Sequence, residues 1–257
     1  AAVPATAAIR CWSTSAATAP GDSAMRVVGI GPTWRLTVRA VVRQAEGMTD
    51  FDELAKGWDD DPHRVERARR AADAIAAAVP VRETMRVLEY GAGTGLLGIA
   101  LSDRVREVVL LDSSVGMIET ARQRIVESGR ANITAQVGDL TAEPWAGEPF
   151  ELVVSLMAMH HVPDITLLLT RLHEATVDGG WVAVLDLEPE AGTYHDPGFE
   201  GHHGFSRGAL RRAFAAAGYS HVCVRNALTT EREIGGELRS FGVFLATAQA
   251  ERPPDDG

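Results

Sequence analysis

The sequence predicts an α/β protein: a doubly wound, seven-stranded sheet, mostly parallel, with an antiparallel hairpin at its C-terminal edge. Three observations carry this. Short apolar runs alternate with helical-period segments from residue 62 onward, the pattern of a parallel sheet covered on both faces. The first apolar run ends in a turn with glycine at alternate positions. The last two runs follow one another with no helix between them, which implies an antiparallel pair.

The elements follow in order. Asp61-Pro62 is a helix cap followed by a proline suited to the first turn. Val65, Ala68, Ala72, Ile75, Ala76 and Val79 then recur at helical spacing until Pro80 ends the run. Residues 86–90 form a short strand leading into Gly91, Gly93 and Gly95, and a helix spans about 94–102. A strand at 107–111, a helix marked by Ile118, Ala121 and Ile125, and strands at 133–137 and 150–155 come next. Leu168, Leu169 and Leu172 lie on a helix, and residues 180–187 form a strand. Ser206 caps a helix that Gly218 stops, and strands at about 220–227 and 240–248 close the fold.

Composition limits the function. The net charge of −10 is uneven: residues 1–47 carry five arginines against two acids, and the remainder carries 20 basic against 33 acidic groups, a net of −13. An acidic domain disfavours nucleic acid as partner, because phosphate binding depends on Lys and Arg. Two cysteines, Cys11 and Cys223, are too few for a disulfide framework. No apolar run approaches the roughly 18 residues of a membrane span, so a cytoplasmic protein is expected. Residues 1–47 are rich in Ala, Thr, Ser and Arg and lack an apolar centre. They read as a disordered or upstream extension before Met48, with a transit peptide as the other reading. The expected division is therefore extension 1–47, domain 48–250 and polar tail 251–257.

The chemistry concentrates in Val87-Leu-Glu-Tyr-Gly-Ala-Gly-Thr-Gly-Leu96. Alternate glycines let the backbone turn tightly and approach a ligand closely. The helix behind them offers free N–H groups. Two nucleotide-type ligands compete for this turn. Gly93 to Gly98 satisfies the G-x-G-x-x-G spacing of dinucleotide binding, with Asp112 as the ribose partner. That match starts two residues late, however, and Glu89 sets a carboxylate against the loop. A pyrophosphate would meet that negative charge, whereas the ammonium and sulfonium of S-adenosylmethionine would be attracted by it.

Glu89-x-Gly91-x-Gly93-x-Gly95, with Asp112 ending the second strand, resembles the class I S-adenosylmethionine-dependent methyltransferases. The likeness covers about residues 48–250. It continues in Asp112-Ser-Ser-Val-Gly-Met-Ile118, Val137-Gly-Asp-Leu140 and Phe150-Glu-Leu-Val-Val-Ser-Leu156. The opening Phe51-Asp-Glu-Leu-Ala-Lys-Gly-Trp-Asp59 is similar to the start of many small-molecule members. The nearest group is methyltransferase type 11-like, related to the ubiquinone and menaquinone C-methyltransferases, with a Rossmann-like fold. The resemblance implies S-adenosyl-L-methionine as cofactor. Glu89, Gly91, Ala92, Gly93 and Gly95 would surround its methionine part, and Asp112, with Ser113 beside it, its ribose. Met117 would pack on the adenine, while Asp139 and Leu140 would read its polar edge.

The acceptor follows from negative evidence. The family's DNA-amine motif, Asn/Asp-Pro-Pro-aromatic, is replaced by Ser155-Leu-Met-Ala-Met-His-His161. Cys223 lacks the preceding proline of the cytosine C5 enzymes, and Ser155 stands where catechol O-methyltransferases place an acidic metal ligand. A small-molecule acceptor with an O, N or C nucleophile is expected. Methyl transfer is an in-line displacement needing a base only when the acceptor must lose a proton. His160 and His161 are the candidates, with a purely loop-shaping role as the other reading. The loop His195 to Gly204 would border the acceptor pocket. No metal is expected, since adjacent histidines in a loop do not naturally converge on one ion. An NAD(P)-dependent oxidoreductase and a non-catalytic cofactor-binding descendant are the rival functions.

Overall fold

A computed structural model describes residues 51–55 and 57–252. The extension 1–47 and most of the expected tail lie outside the described residues. Among those described, seven strands form one sheet. They are β1 (Arg86–Tyr90), β2 (Glu107–Asp112), β3 (Ile133–Val137), β4 (Phe150–Leu156), β5 (Thr176–Leu187), β6 (Tyr219–Ile234) and β7 (Glu237–Ala250). The helices are α1 (Phe51–Leu54), α2 (Pro62–Ala78), α3 (Leu96–Leu101), α4 (Val115–Ser128), α5 (Ile165–Glu174) and α6 (Arg207–Ala216).

The strand order is β3-β2-β1-β4-β5-β7-β6. β1 to β5 are parallel, and β7 runs antiparallel to both β5 and β6. The chain winds outward from β1 to β3, then returns to lay β4 on the other side of β1. In open α/β sheets that reversal leaves a crevice beyond the carboxyl ends of the two central strands.

Period-2 side-chain alternation explains the continuous apolar runs. In β4, Val153 enters one core while Leu152 and Val154 enter the other; in β5, Val182 and Val184 oppose Ala183 and Leu185. α5 and α6 cover one face through Leu168, Leu169, Leu172, Leu210 and Phe214. α2 and α3 cover the other through Ala68, Ala72, Ile75, Leu97 and Leu101. The predicted caps are formed: Asp61 accepts from His63 N at 2.9 Å, and Ser206 from Ala209 N at 3.3 Å.

Two boundaries differ from the sequence reading. β5 begins at Thr176, four residues early. The final hairpin is much longer than expected, turning at Gly235-Gly236. Both glycines have positive φ, as the right-handed twist of a two-residue hairpin demands. Pairing with β5 stops at Leu187 and Val243, so beyond that point β6 and β7 pair only with each other. This outer ladder borders no continuous core, and its sequence, Thr229-Thr-Glu-Arg-Glu233, shows no apolar alternation.

Candidate functional site

The glycine loop closes the carboxyl end of β1. Gly91, Gly93 and Gly95 all have positive φ. A Cβ on Gly91 would sit 2.3 Å from Ala158 Cβ, so only glycine lets this loop lie against the turn after β4. Gly93 is different, because a Cβ there would meet nothing closer than Met117 Sδ at 3.9 Å. Ala92 N donates to Leu111 O at 3.1 Å, tying the loop to β2.

Asp112 ends β2 and serves this loop directly. Its Oδ2 accepts from Gly93 N at 2.7 Å, and its Oδ1 from Ser114 N at 2.9 Å. Burial raises its pKa while those two amides lower it, with a net upward shift. Ser113 beside it is exposed, and Met117 is buried beneath the loop. After β3, Asp139 accepts from Tyr90 Oη at 2.9 Å and from Thr141 N and Oγ1 at 2.8 Å each, next to buried Leu140.

Glu89 occupies a different position from the one its residue type suggested. It lies under the loop, 2% exposed, where Oε2 accepts from Gly98 N in the first turn of α3 at 2.7 Å. Burial pushes its pKa up to about 8, so at neutral pH the carboxyl holds its proton in this structure. Its Oε2 fastens α3 to β1 through the Gly98 amide.

Across the crevice, β4 ends in a strained turn. Met157 has φ 55°, an uncommon conformation for a non-glycine residue. A short helical turn, Met159–His161, follows. His160 is 2% exposed; its backbone N–H donates to Asp186 Oδ2 at 3.1 Å and its ring Nδ1 to Asp186 Oδ1 at 2.6 Å. His161 packs edge-on against Phe51 with ring centroids 5.0 Å apart. Burial, then His160 and His195, lower its pKa to about 3. It is therefore a neutral imidazole and a weak proton acceptor.

A methyltransferase-domain family model matches residues 63–224. The chain belongs to that methyltransferase family. Demethylmenaquinone methyltransferase of Renibacterium salmoninarum is 30% identical over 138 residues, covering 53% of this chain and 56% of that protein. Trans-aconitate 2-methyltransferase of Rhodococcus jostii is 33% identical over 113 residues, covering 43% and 41%. The chain thus spans about half the length of the curated relatives it matches. A SAM-dependent methyltransferase from Aquifex aeolicus shares the fold at TM-score 0.59 and 18% identity, covering 79% of this chain and 100% of that one. The DhpI–SAH complex does so at TM-score 0.58 and 22% identity, covering 79% and 94%.

Gly91, Ala92, Gly93, Gly95, Asp112 and Met117 lie together around the carboxyl ends of β1 and β2, and Asp139 joins them through Tyr90. His160 and His161 stand in the turn after β4, against Gly91 through Ala158. Several residues of the site were not foreseen. Asp186, fully buried in β5, orients His160; the signal was a lone acid within Trp181-Val-Ala-Val-Leu-Asp-Leu187. The segment before α2, which in sequence is similar to the start of family members, packs onto the same region. Asp52 accepts from Ser114 Oγ and from Gly116 N (2.9 Å), capping α4. Asp59 accepts from Thr94 Oγ1 at 2.7 Å and pairs with Arg124. Trp58 stacks under the Arg64 guanidinium, 3.7 Å from its ring centre, and meets Phe51 edge-on. No helix among the described residues is long and apolar enough to cross a membrane.

Proposed function

We propose that this chain transfers the methyl group of S-adenosylmethionine to a small-molecule acceptor, releasing S-adenosylhomocysteine. The carrying observation is the contact between the glycine loop at Gly91 and the β4 turn at Ala158. It supports a reading in which the glycine loop and the histidines face one another, as an in-line displacement would need for methyl and nucleophile. The sulfonium supplies the electrophile, so the protein's task is alignment.

The glycine loop and Asp112 would hold the methionine and ribose parts, with Asp139 and Leu140 at the adenine. His160 and His161 would contact the acceptor, with Asp186 fixing the tautomer and angle of His160. Relatives named for demethylmenaquinone, trans-aconitate and magnesium-protoporphyrin support a small-molecule acceptor. The negative charge of the domain supports the same reading against nucleic acid.

The test is a thermal-shift titration followed by turnover. S-adenosylhomocysteine raises the melting temperature and NAD(H) does not; the reverse would support an oxidoreductase. Labelled S-adenosylmethionine is then offered with phenols, amines, thiols and quinol precursors. Tight cofactor binding without transfer to any of them would favour a non-catalytic descendant.

A further inference from the structure

The loop at 195–204 and the β4 turn are far apart in sequence, yet they meet. His202 N donates to His160 O at 2.8 Å, and the His202 ring Nε2 to Val162 O at 3.0 Å. Phe199 stacks flat on His195, with centroids 3.7 Å apart and 12° between planes. A Cβ on Gly201 would sit 2.5 Å from His160 O, so the loop backbone lies directly on the turn. The neighbours His202 and His203 do diverge, His203 turning away to Glu190 Oε1 at 3.0 Å. His195 instead joins His160 and His161, and each of the three offers a ring nitrogen, all within 4.8 Å of one another.

We infer that His160, His161 and His195 form a binding site for one divalent transition-metal ion of the zinc class. Four properties of the cluster support it. The donor set is all imidazole, which suits Zn, Cu, Ni or Fe and not Mg or Ca. Asp186 engages Nδ1 of His160 at 2.6 Å, leaving Nε2 as the lone-pair nitrogen; a carboxylate behind a histidine ligand is the usual orienting arrangement. The Nδ1 atom of His195 is buried and has no hydrogen-bond partner, an unmet need that an ion would fill. The three rings are also packed together, with the His160 ring centroid 4.2 Å from that of His161 and 4.8 Å from that of His195.

Tetrahedral zinc–nitrogen bonds of about 2.0–2.1 Å place ligand nitrogens roughly 3.3 Å apart. The present spacing is wider, so the rings close inward on the ion. Three protein ligands leave a fourth position for water or for an acceptor oxygen or nitrogen. The occupant of that position rests on the proposed methyl transfer; the binding of the ion does not.

The experiment uses the full chain, stripped with a chelator and titrated with Zn²⁺, Co²⁺ and Mg²⁺. S-adenosylhomocysteine affinity is measured in parallel on every variant. The expected result is one equivalent of Zn²⁺ bound at micromolar affinity or tighter, visible Co²⁺ absorption of a tetrahedral nitrogen site, and no Mg²⁺ binding. His195→Ala weakens Zn²⁺ at least about 100-fold with S-adenosylhomocysteine affinity unchanged. His203→Ala, outside the cluster, binds Zn²⁺ as the wild type does. No stoichiometric Zn²⁺ binding by the wild type would overturn the inference. So would unchanged binding in His195→Ala, or loss only in His203→Ala. Zn²⁺ binding without S-adenosylhomocysteine binding would instead remove the methyl-transfer reading and leave the metal site standing.

Discussion

The two walls of the crevice, the one proposed for the cofactor and the one proposed for the acceptor, are built by different means. The cofactor wall is made of main-chain hydrogen bonds over short stretches: Asp112 to the amides of Gly93 and Ser114, Glu89 to the amide of Gly98, Asp139 to that of Thr141. The acceptor wall is made of aromatic and imidazole side chains from distant segments: His160 with Asp186, and His195 with Phe199 above both histidines. Backbone recognition depends on turn geometry and tolerates few residue types. Side-chain recognition leaves the backbone alone and is free to change with the acceptor.

The contrast has a seam at Gly91, and breaking it should have the largest effect. Gly91→Ala puts a Cβ 2.3 Å from Ala158 at positive φ, and a loss of about 2–4 kcal/mol of stability with abolished methyl transfer is expected. Calorimetric melting reads it, and a wild-type melting temperature would mean that the walls are not in contact. Asp112→Asn should act on the cofactor wall alone, weakening S-adenosylhomocysteine about 10–100-fold, as loss of charged hydrogen bonds costs about 1.5–3 kcal/mol. Isothermal titration measures this, and acceptor KM should stay put. Asp186→Asn is the mirror case. It should lower kcat about 10–100-fold through misorientation of His160, with cofactor Kd within about two-fold. A joint loss of cofactor binding would erase the division of labour.

A pH-dependent effect sharpens the role of Glu89. Its folded pKa of about 8 lies above the ordinary 4.5, so its burial is unopposed below about pH 4.5. Between there and about pH 8 the unfolded chain loses the proton that the folded chain keeps, and stability falls as pH rises. Glu89→Gln should remove that slope. The variant-minus-wild-type difference in melting temperature is expected to grow from pH 5 to pH 9, and a flat difference would show Glu89 ionised throughout.

This asymmetry also explains what was legible in the sequence. The sheet and the glycine turn were readable because strand–turn–helix signals lie within about ten residues, as do Asp112 with Ser114 and Asp139 with Thr141. Asp186 was hidden, since one acid inside an apolar strand has no local signature and its partner is 26 residues away. The convergence of His195 on the β4 turn was equally invisible. His202 and His203 point apart, whereas His160 and His161 lie together, and tertiary folding brought a third ring to that pair. The outer hairpin was missed because strands bordering no core need no apolar alternation.

The segment from Phe51 to Asp60 carries one further consequence. Asp52 and Asp59 draw their donors from Ser114, Gly116 and Thr94, which lie at the turns following β2 and β1. Phe51 rests on His161 at the same time. Reciprocity then applies: a ligand that steadies those turns also steadies this segment, and the segment lends its own order to the ligand.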